Sequence, residues 1–344
     1  MAQTYGSLVR APELWALLEF VFQKTADVLP PLCIWGKHGI GKTQIVRDFA
    51  RRTERQFRAL SPAQFEEMGD LLGLPALEGS RTVLRPPSWV PDQPGPGILL
   101  IDDVNRADDR ILRGLMPLLQ QGQLASWSLP LNWHIVLTAN PDEGDYSVTP
   151  MDEAMLTRMM HVHLIFDHGS WLDWAGRAGL DLRGIDFVAR HPELITGRRT
   201  TPRSLEQFLR LAAPVQDWKG DIELLYQLAA ACLDEETVTG LLQFIRSGMY
   251  RLPRPQDILD RGDLSGLADA APSAFWSVQE RLLRHLSQLG GRLTAQQLAH
   301  LKAFLLHPAL PADLRLYLAQ RLIAQKRSEL NDLLADPEVG TSLL

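Results

Sequence analysis

A glycine-rich segment of eight residues carries the clearest chemical pattern in the sequence. It consists of Gly36, Lys37, His38, Gly39, Ile40, Gly41, Lys42 and Thr43, and it fits G-x-x-x-x-G-K-[ST]. An apolar run precedes the segment and a helical pattern follows it, as phosphate binding requires. The glycines let backbone N–H groups curl around phosphate oxygens, helped by the positive end of the following helix. We therefore predict that the segment binds ATP or ADP, with Lys42 at the β- and γ-phosphates and the Thr43 hydroxyl on Mg²⁺.

Further polar groups follow two apolar runs that are typical of buried strands. Asp102 and Asp103 follow the run 97–101, and Asn140 follows the run 133–139. A carboxylate at the carboxyl end of a parallel strand lies beside the magnesium of a bound nucleotide. Asp102 is predicted to hold Mg²⁺ through water, and Asp103 to polarise the attacking water as a general base. Asn140 is predicted to orient that water, although an isolated Asn-Pro pair is usually just a turn.

The surrounding sequence must supply the elements that position these groups. The predicted strands are 32–35, 57–60, 97–101, 133–139 and 161–166, and the predicted helices between and before them are 11–27, 42–52, 62–72 and 110–121. Strands that alternate with helices indicate a parallel sheet covered on both faces, so residues 1–167 are predicted to be an α/β nucleotide-binding domain. A stretch rich in Gly and Pro predicts a hairpin-like insert at about 73–85.

The pattern becomes almost wholly helical after Asp167. Amphipathic segments near 202–212, 222–233 and 237–247 predict an α-helical lid over residues 168–250. Clusters of Pro, Gly and Asp predict a linker at 251–271. Further helices are predicted near 273–289, 294–307 and 311–335, so residues 251–344 are predicted to form an α-helical C-terminal extension.

Composition places the chain among ordinary globular proteins and favours some locations and partners over others. The 344 residues are 45% hydrophobic and 22% charged, with a formal net charge of −6. A dedicated nucleic-acid binder usually has a basic excess, so nucleic acid is not the expected partner. We see no signal peptide and no run of about 18 apolar residues, and we expect a cytoplasmic protein without a membrane span. Cys33 and Cys232 match no metal or redox spacing and are expected to be buried small hydrophobes.

Taken together, these motifs resemble the AAA+ superfamily of P-loop NTPases, and within it the MoxR-like and dynein/midasin-related branch. The resemblance covers about residues 8–250 and implies an AAA+ core followed by a helical lid. Asp70–Gly73 is similar to the D-L-x-G that opens the helix-2 insert of that branch, and Asp102–Ala107 is similar to its D-E-x-N-R-A. Gly122–Leu129 with Trp133 resembles the hairpin before sensor 1, and Asn140 falls at the sensor 1 asparagine. Ala154–Arg158 resembles A-x-L-D-R, and Thr201–Ser204 resembles the S-P-R of sensor 2.

The resemblance implies roles for two arginines. Arg158 takes the place of the arginine finger, and Arg203 would lie over the nucleotide from the lid. A guanidinium is always charged and matches phosphate oxygens in a fork, and a finger supplied by a neighbouring subunit accelerates phosphoryl transfer about 10³–10⁵-fold. Thr157 and Met159 replace the usual Asp and Phe beside the finger. Arg106 is therefore a rival candidate for the arginine at a subunit interface.

The resemblance also implies a homo-oligomeric ring, a hexamer, that hydrolyses ATP and remodels a protein client. It further implies a partner with a von Willebrand factor A domain. Two other functions stay open: a nucleic-acid motor or loader, and an ATP-gated scaffold with little turnover, because Asp103 replaces the glutamate usual in the family. Trp127 in the predicted hairpin would either contact a client in a central pore or be an exposed or packed aromatic. His161 and His163 are expected to pack rather than to bind a metal.

Overall fold

The computed structural model describes residues 5–23, 29–141, 148–196, 199–248, 252–268 and 272–343. Within these residues the strands are β1 (Ser7–Val9), β2 (Leu32–Trp35), β3 (Gln56–Leu60), β4 (Leu74–Glu78), β5 (Arg81–Arg85), β6 (Gly97–Ile101), β7 (Gln123–Leu124), β8 (Trp127–Ser128), β9 (Trp133–Ala139) and β10 (Met160–Leu164). The helices of the same ranges are α1 (Ala11–Gln23), α2 (Lys42–Arg52), α3 (Met68–Leu72), α4 (Asp109–Gln121), α5 (Glu153–Leu156), α6 (His168–Arg177), α7 (Leu182–Arg190), α8 (Pro202–Ala212), α9 (Ile222–Cys232), α10 (Glu235–Arg246), α11 (Pro255–Arg261), α12 (Pro272–Gln288), α13 (Ala295–Leu305), α14 (Ala312–Ala324), α15 (Ser328–Leu334) and α16 (Pro337–Ser342).

Six strands form one parallel sheet in the order β1-β10-β2-β9-β6-β3. Its central strands are apolar at nearly every position because both faces of the sheet are covered. Successive residues of β6 point to opposite faces: Ile98 and Leu100 lie in a core with α1 and α2, while Leu99 and Ile101 lie in a second core with α4. The predicted α/β fold with a parallel sheet is confirmed.

The register of the parallel strands brings the polar groups to one edge of the sheet. Ile101 of β6 pairs with Leu137 of β9, and Trp35 of β2 pairs with Ala139 of β9. The chain therefore leaves these three neighbouring strands at a similar height, with Asp102 after β6, Asn140 after β9 and the glycine-rich segment after β2. Residues that are about 100 positions apart in sequence come within hydrogen-bonding distance in this way.

Several predicted elements differ from the structure. The N-terminal segment forms β1, a strand that was not predicted, and the predicted helix 62–72 is a 3-10 turn at Pro62–Gln64 followed by the short helix α3. A capping box between Glu67 and Asp70 starts α3 afresh and explains the break. Residues 24–27 of the predicted first helix lie outside the described residues.

The elements predicted for the C-terminal part also differ from those in the structure. The predicted linker contains α11, and α6 and α7 were not predicted. The single helix predicted at 311–335 is two helices, α14 and α15. They are separated at Lys326, whose φ of 54° interrupts a right-handed helix.

The chain divides into two compact units that are interleaved in sequence. The first consists of residues 1–180, 193–213 and 229–234, and the second of residues 181–192, 214–228 and 235–344. The second unit has its own leucine-rich core, formed by α11 to α16. The predicted division into 1–167, 168–250 and 251–344 stays a prediction. In the described part of the chain, no helix has both the length and the apolarity needed to cross a membrane.

Two small hairpins project from the first unit and are joined to each other. β4 pairs with β5, and β7 pairs with β8, both antiparallel. The backbone N–H of Leu84 in β5 donates to Ser126 Oγ (2.8 Å), and Trp127 Nε1 donates to the carbonyl of Leu72 (3.0 Å). Trp127 is buried and packs edge-on against Trp89. Of the possibilities for Trp127, the structure therefore shows the packed one.

Candidate nucleotide-binding site

The glycine-rich segment forms a loop between β2 and α2. Gly39 and Gly41 have φ angles of 70° and 104°, in the left-handed region that side chains disfavour. A Cβ on Gly39 would lie 2.8 Å from Thr201 Oγ1, so no larger residue fits there. Gly41 is the N-cap of α2, and the backbone N–H groups of the first turn of α2 face the loop without helical partners. The loop is therefore built to bring backbone close to a phosphate group.

The Lys42 side chain spans the base of this loop. It is only 5% exposed, and its Nζ donates to the carbonyls of Gly36 (2.6 Å) and Lys37 (3.1 Å) and to Asn140 Oδ1 (3.0 Å). An ammonium has three donors, so these acceptors saturate it. Burial lowers the pKa of Lys42 to about 8, against the opposing charges of Asp103 and Asp102. A phosphate oxygen would reach Nζ by replacing one of the three acceptors.

Asp102 and two threonines form the expected magnesium side of the site. Asp102 Oδ1 accepts from Thr43 Oγ1 (2.7 Å) and from Thr138 Oγ1 (2.6 Å). Carboxylate and hydroxyl oxygens are the hard ligands that Mg²⁺ prefers, usually together with water and phosphate oxygens. The residues present thus fit the ion, and Thr43 and Asp102 would hold it. Bound there, Mg²⁺ would neutralise charge on the phosphates.

Asn140 connects the lysine to the second acid. Asn140 is 1% exposed, and its Nδ2 donates to Asp103 Oδ1 (2.9 Å) while its Oδ1 accepts from Lys42. Asp103 has left-handed backbone angles (φ 49°, ψ 48°), which Asp tolerates better than most residues. Its backbone N–H donates to Thr138 Oγ1 (2.7 Å). The side chains of Lys42, Asn140 and Asp103 therefore form one continuous hydrogen-bonded chain.

Two residues of this network were missed as functional candidates in the sequence. Thr138 ties the side chain of Asp102 to the backbone of Asp103, and Asn105 binds the backbone of Asn140 at both N–H and carbonyl. Both lie within the quoted motifs, at the end of β9 and after the two acids. Their partners are about 35 positions away, so only the pairing of β6 with β9 reveals the contacts.

The first turn of α8 lies against the loop. The backbone N–H of Arg203 donates to the carbonyl of Gly39 (3.2 Å), and Thr201 caps α8 through its side chain. Partial burial lowers the pKa of His38, and the charges of Lys42, Arg203 and Arg106 lower it further. These positive charges act on the loop at His38, and they favour an anion there. Lys37 is exposed and contributes its carbonyl, while Ile40 packs partly into the core.

Arg158 lies apart from this network. It follows α5, and its guanidinium donates to the carbonyl of Ala154. It also bonds to the side chain of Gln120 in α4 when that amide is turned so that its oxygen faces the arginine. The structure thus brings together Lys42, Thr43, Asp102, Asp103 and Asn140 but ties Arg158 to α4 and α5. A finger that acts on a neighbouring subunit would not be expected at its own site, and its role stays a prediction.

His161, which was expected to pack rather than to bind a metal, makes contacts inside the protein. His161 Nδ1 accepts from Trp35 Nε1 (3.0 Å), and its Nε2 lies 2.7 Å from the carbonyl of Leu156. Cys33, on β2 beside this pair, is fully buried, while Cys232 is half-buried. Across the described ranges, no cluster of three or more His, Cys, Asp or Glu side chains could hold a metal ion by itself. The magnesium side of the loop differs, since most ligands of such an ion come from water and nucleotide.

Comparison with known proteins identifies the central segment. Residues 31–159 match the family described as AAA domain (dynein-related subfamily). No curated protein matches the chain. Similar solved structures include the Thermotoga maritima RuvB Holliday junction branch migration motor, at 18% identity over 85% of this chain and 93% of that chain (TM-score 0.41). A mutant of the same RuvB is similar at 15% identity over 88% and 99% (TM-score 0.41), and NtrX from Brucella abortus at 15% over 58% and 51% (TM-score 0.36).

The fold and the loop define the class of the central segment: it is an AAA domain, with the parallel sheet and phosphate-binding loop of an ATP-hydrolysing enzyme. Within that class, residues 31–159 are an AAA domain of the dynein-related subfamily. The similarity to RuvB and NtrX lies below a TM-score of 0.5 and carries no argument about substrate or assembly.

Proposed function

We propose that the protein is a Mg-ATP-dependent remodelling ATPase of MoxR-like type that works as a homo-oligomeric ring, a hexamer, on a protein client. The observation that carries the proposal is Asn140, which joins the phosphate-binding lysine to the acid that would activate water. Beside it, Thr43 and Asp102 supply a hydroxyl and a carboxylate for magnesium. Binding and hydrolysis groups therefore share one hydrogen-bonded network.

Each residue has a distinct task in this proposal. Backbone N–H groups of residues 36–43 bind the phosphates, and Lys42 adds a positive charge that burial keeps free of bulk water. Asp103 accepts a proton from the attacking water as general base. Asn140 holds Asp103 in place, and it is the exchangeable acceptor of Lys42 because the other two acceptors are backbone carbonyls of the loop.

The remodelling part of the proposal rests on the hairpin β4–β5. Leu74 and Leu77 on β4 are 73% and 79% exposed, so this strand presents two large apolar side chains to solvent. Because β5 bonds to Ser126 between β7 and β8, a displacement of one hairpin would move the other. We propose that this hairpin pair contacts a protein client. A partner with a von Willebrand factor A domain and a cytoplasmic location belong to the same proposal, and nucleic acid is not the expected client.

The ring is tested by mixing two inactive variants. Lys42→Ala removes the phosphate contact of its own site, and Arg158→Ala removes the arginine offered to a neighbour. Mixed subunits should regain a fraction of the wild-type ATPase rate, because some interfaces then combine an intact loop with an intact arginine. Arg113→Ala, which changes an exposed arginine of α4, is the matched control and should leave the rate unchanged. Mixtures as inactive as the parents, with normal assembly, would contradict a finger at Arg158, and the same mixture with Arg106→Ala tests its rival.

A second function, an ATP-gated scaffold with little turnover, is favoured by one observation. Asp103 is one methylene shorter than glutamate, and Asn140 already occupies its Oδ1. If wild type binds ATP but barely hydrolyses it while Asp103→Glu hydrolyses it at least about tenfold faster, the scaffold describes the protein better. If wild type turns over ATP steadily and Asp103→Asn abolishes this turnover, the remodelling ATPase stands.

A further inference from the structure

Asn105 is a buried amide that pairs with the backbone of Asn140. It is 3% exposed; its Oδ1 accepts from the N–H of Asn140 (3.1 Å), and its Nδ2 donates to the carbonyl of Asn140 (2.7 Å). Two hydrogen bonds from one amide to the N–H and the carbonyl of the same residue fix the position and the orientation of that residue, as the paired hydrogen bonds between antiparallel strands do. Asn140 follows the last residue of β9 and lies beyond the pairings of β9 with β2 and β6.

The other side of Asn105 is tied to a different segment. Its carbonyl accepts from the backbone N–H of Thr149 (2.8 Å), and Thr149 Oγ1 donates to the carbonyl of Ala107 (2.7 Å). These bonds fasten residues 148–151 to the turn Val104–Arg106 that follows the two acids. The same segment leads into α5 and then to Arg158. Asn105 thus lies between the Asp103–Asn140 pair and the chain that carries Arg158.

We infer that Asn105 is a positioning residue for ATP hydrolysis, which holds Asn140 with its amide directed at Asp103 and at the phosphate-binding Lys42. The inference rests on the proposed function and assigns a task to a residue that touches no reacting atom. Asn140 contacts the Lys42 ammonium with its oxygen and the Asp103 carboxylate with its nitrogen, and rotation of its backbone would break both contacts. The contact with Asp103 is the one that remains when a phosphate oxygen replaces Asn140 at Lys42. If Asn105 did not bond to them, the buried carbonyl and N–H of Asn140 would lack partners, and the free-energy cost of leaving them unpaired would favour such a rotation.

The inference predicts an effect on turnover that is larger than the effect on binding. Asn105→Asp keeps an acceptor for the N–H of Asn140 but sets a carboxylate oxygen against its carbonyl. We expect kcat for ATP hydrolysis to fall about 10- to 100-fold, as misplacement by about 1 Å does elsewhere, with the Kd for ATP changed less than about threefold. Thr149→Ala is the matched control, because it removes one hydrogen bond of the same turn and leaves the pairing with Asn140 intact. Its kcat should stay within about threefold of wild type.

A double-mutant cycle separates positioning from general weakening of the fold. In the Asn140→Ala background the amide that Asn105 positions is missing, so Asn105→Asp should lower kcat by less than about threefold further. Two full effects that multiply would show that Asn105 acts independently of Asn140 and would overturn the inference. An Asn105→Asp enzyme with wild-type kcat would overturn it as well.

Hydrogen exchange provides a readout that needs neither turnover nor the aspartate variant. In Asn105→Ala at a temperature where the protein is folded, the amide of Asn140 should exchange faster, while amides of β6 keep their wild-type rates. An unchanged rate at Asn140 would rule out the positioning role. If wild type itself did not hydrolyse ATP, the proposed function would fail, and the exchange result would still decide the inference.

Discussion

Each compact unit contains a buried polar cluster, and the two clusters have similar components but different expected roles. In the first unit, the Lys42 ammonium donates to uncharged oxygens, the loop carbonyls of Gly36 and Lys37 and the amide of Asn140. In the second, the carboxylate of Asp186 in α7 is paired with Arg190 (3.3 Å) and Arg281 (3.5 Å), and it accepts from Ser277 Oγ (3.0 Å). Neutral acceptors can be exchanged for a ligand oxygen, whereas paired full charges hold helices α7 and α12 together.

The difference teaches that burial of charge does not by itself mark a ligand site. Lys42 and Asp186 are both buried, and burial lowers the pKa of Arg281 as it lowers that of Lys42. What separates them is the backbone: left-handed glycines and free helix N–H groups adjoin Lys42, while ordinary helix surrounds Asp186. We therefore expect changes in the first cluster to alter ATP chemistry and changes in the second to alter stability.

The largest expected effect is on stability. Asp186→Ala leaves Arg190 and Arg281, whose side chains are only 16% and 18% exposed, without their shared counter-charge and should lower the free energy of unfolding by about 3–5 kcal/mol. Urea unfolding checks this value, and at temperatures where the variant is folded its affinity for ATP should equal that of wild type. A stable Asp186→Ala protein with impaired ATP binding would reverse the assignment of the two clusters.

The next effect lies in the first cluster. Lys42→Ala should reduce ATP hydrolysis by roughly 10²–10³-fold, because the positive charge at the transferred phosphate is lost. The same change should alter the midpoint of urea unfolding only slightly, since burial already disfavours the ammonium, as its lowered pKa indicates. Loss of stability comparable to that of Asp186→Ala would mean that Lys42 is mainly structural.

The smallest expected effect concerns Asp167, a partly exposed carboxylate outside both clusters. Asp167 caps α6 and accepts from the N–H (2.8 Å) and the hydroxyl (2.6 Å) of Ser170, and these bonds lower its pKa. Asp167→Ala should cost about 1 kcal/mol at neutral pH. Because the folded pKa lies below the unfolded value, this contribution is present above about pH 4 and is lost as pH falls through the folded pKa. Thermal unfolding of both proteins at pH 7 and pH 3 should therefore show a gap that narrows in acid, and a gap that widens would contradict the cap.

Local sequence predicts the parts of the site that depend on neighbours in the chain. The loop 36–43, the acids at 102–103 and Asn140 are each recognisable because an apolar strand and a turn or helix flank them. The exact bounds of β6, β9, α2 and α8 were also predictable for this reason. The resemblance of this part of the chain to AAA+ proteins followed from their combination.

The remaining features depend on contacts that no local pattern records. Asn105 gains its partner only when β6 lies beside β9, and Asp186 meets Ser277 from 91 positions away. The three residues of β1 are too few for a period to be visible and are held by pairing with β10. The role of Arg158 is not predictable in this way, because a residue that acts at a neighbouring subunit's site has its partners neither in the local sequence nor in its own chain.

Calorimetric titration of ATP into the purified wild-type protein, with and without Mg²⁺, tests the central claim most directly. We predict one binding site per chain, with affinity that rises when Mg²⁺ is present and with most of that magnesium-dependent gain lost in Thr43→Ala. Absence of ATP binding at every magnesium concentration, or equal gains from magnesium in wild type and Thr43→Ala, would contradict it.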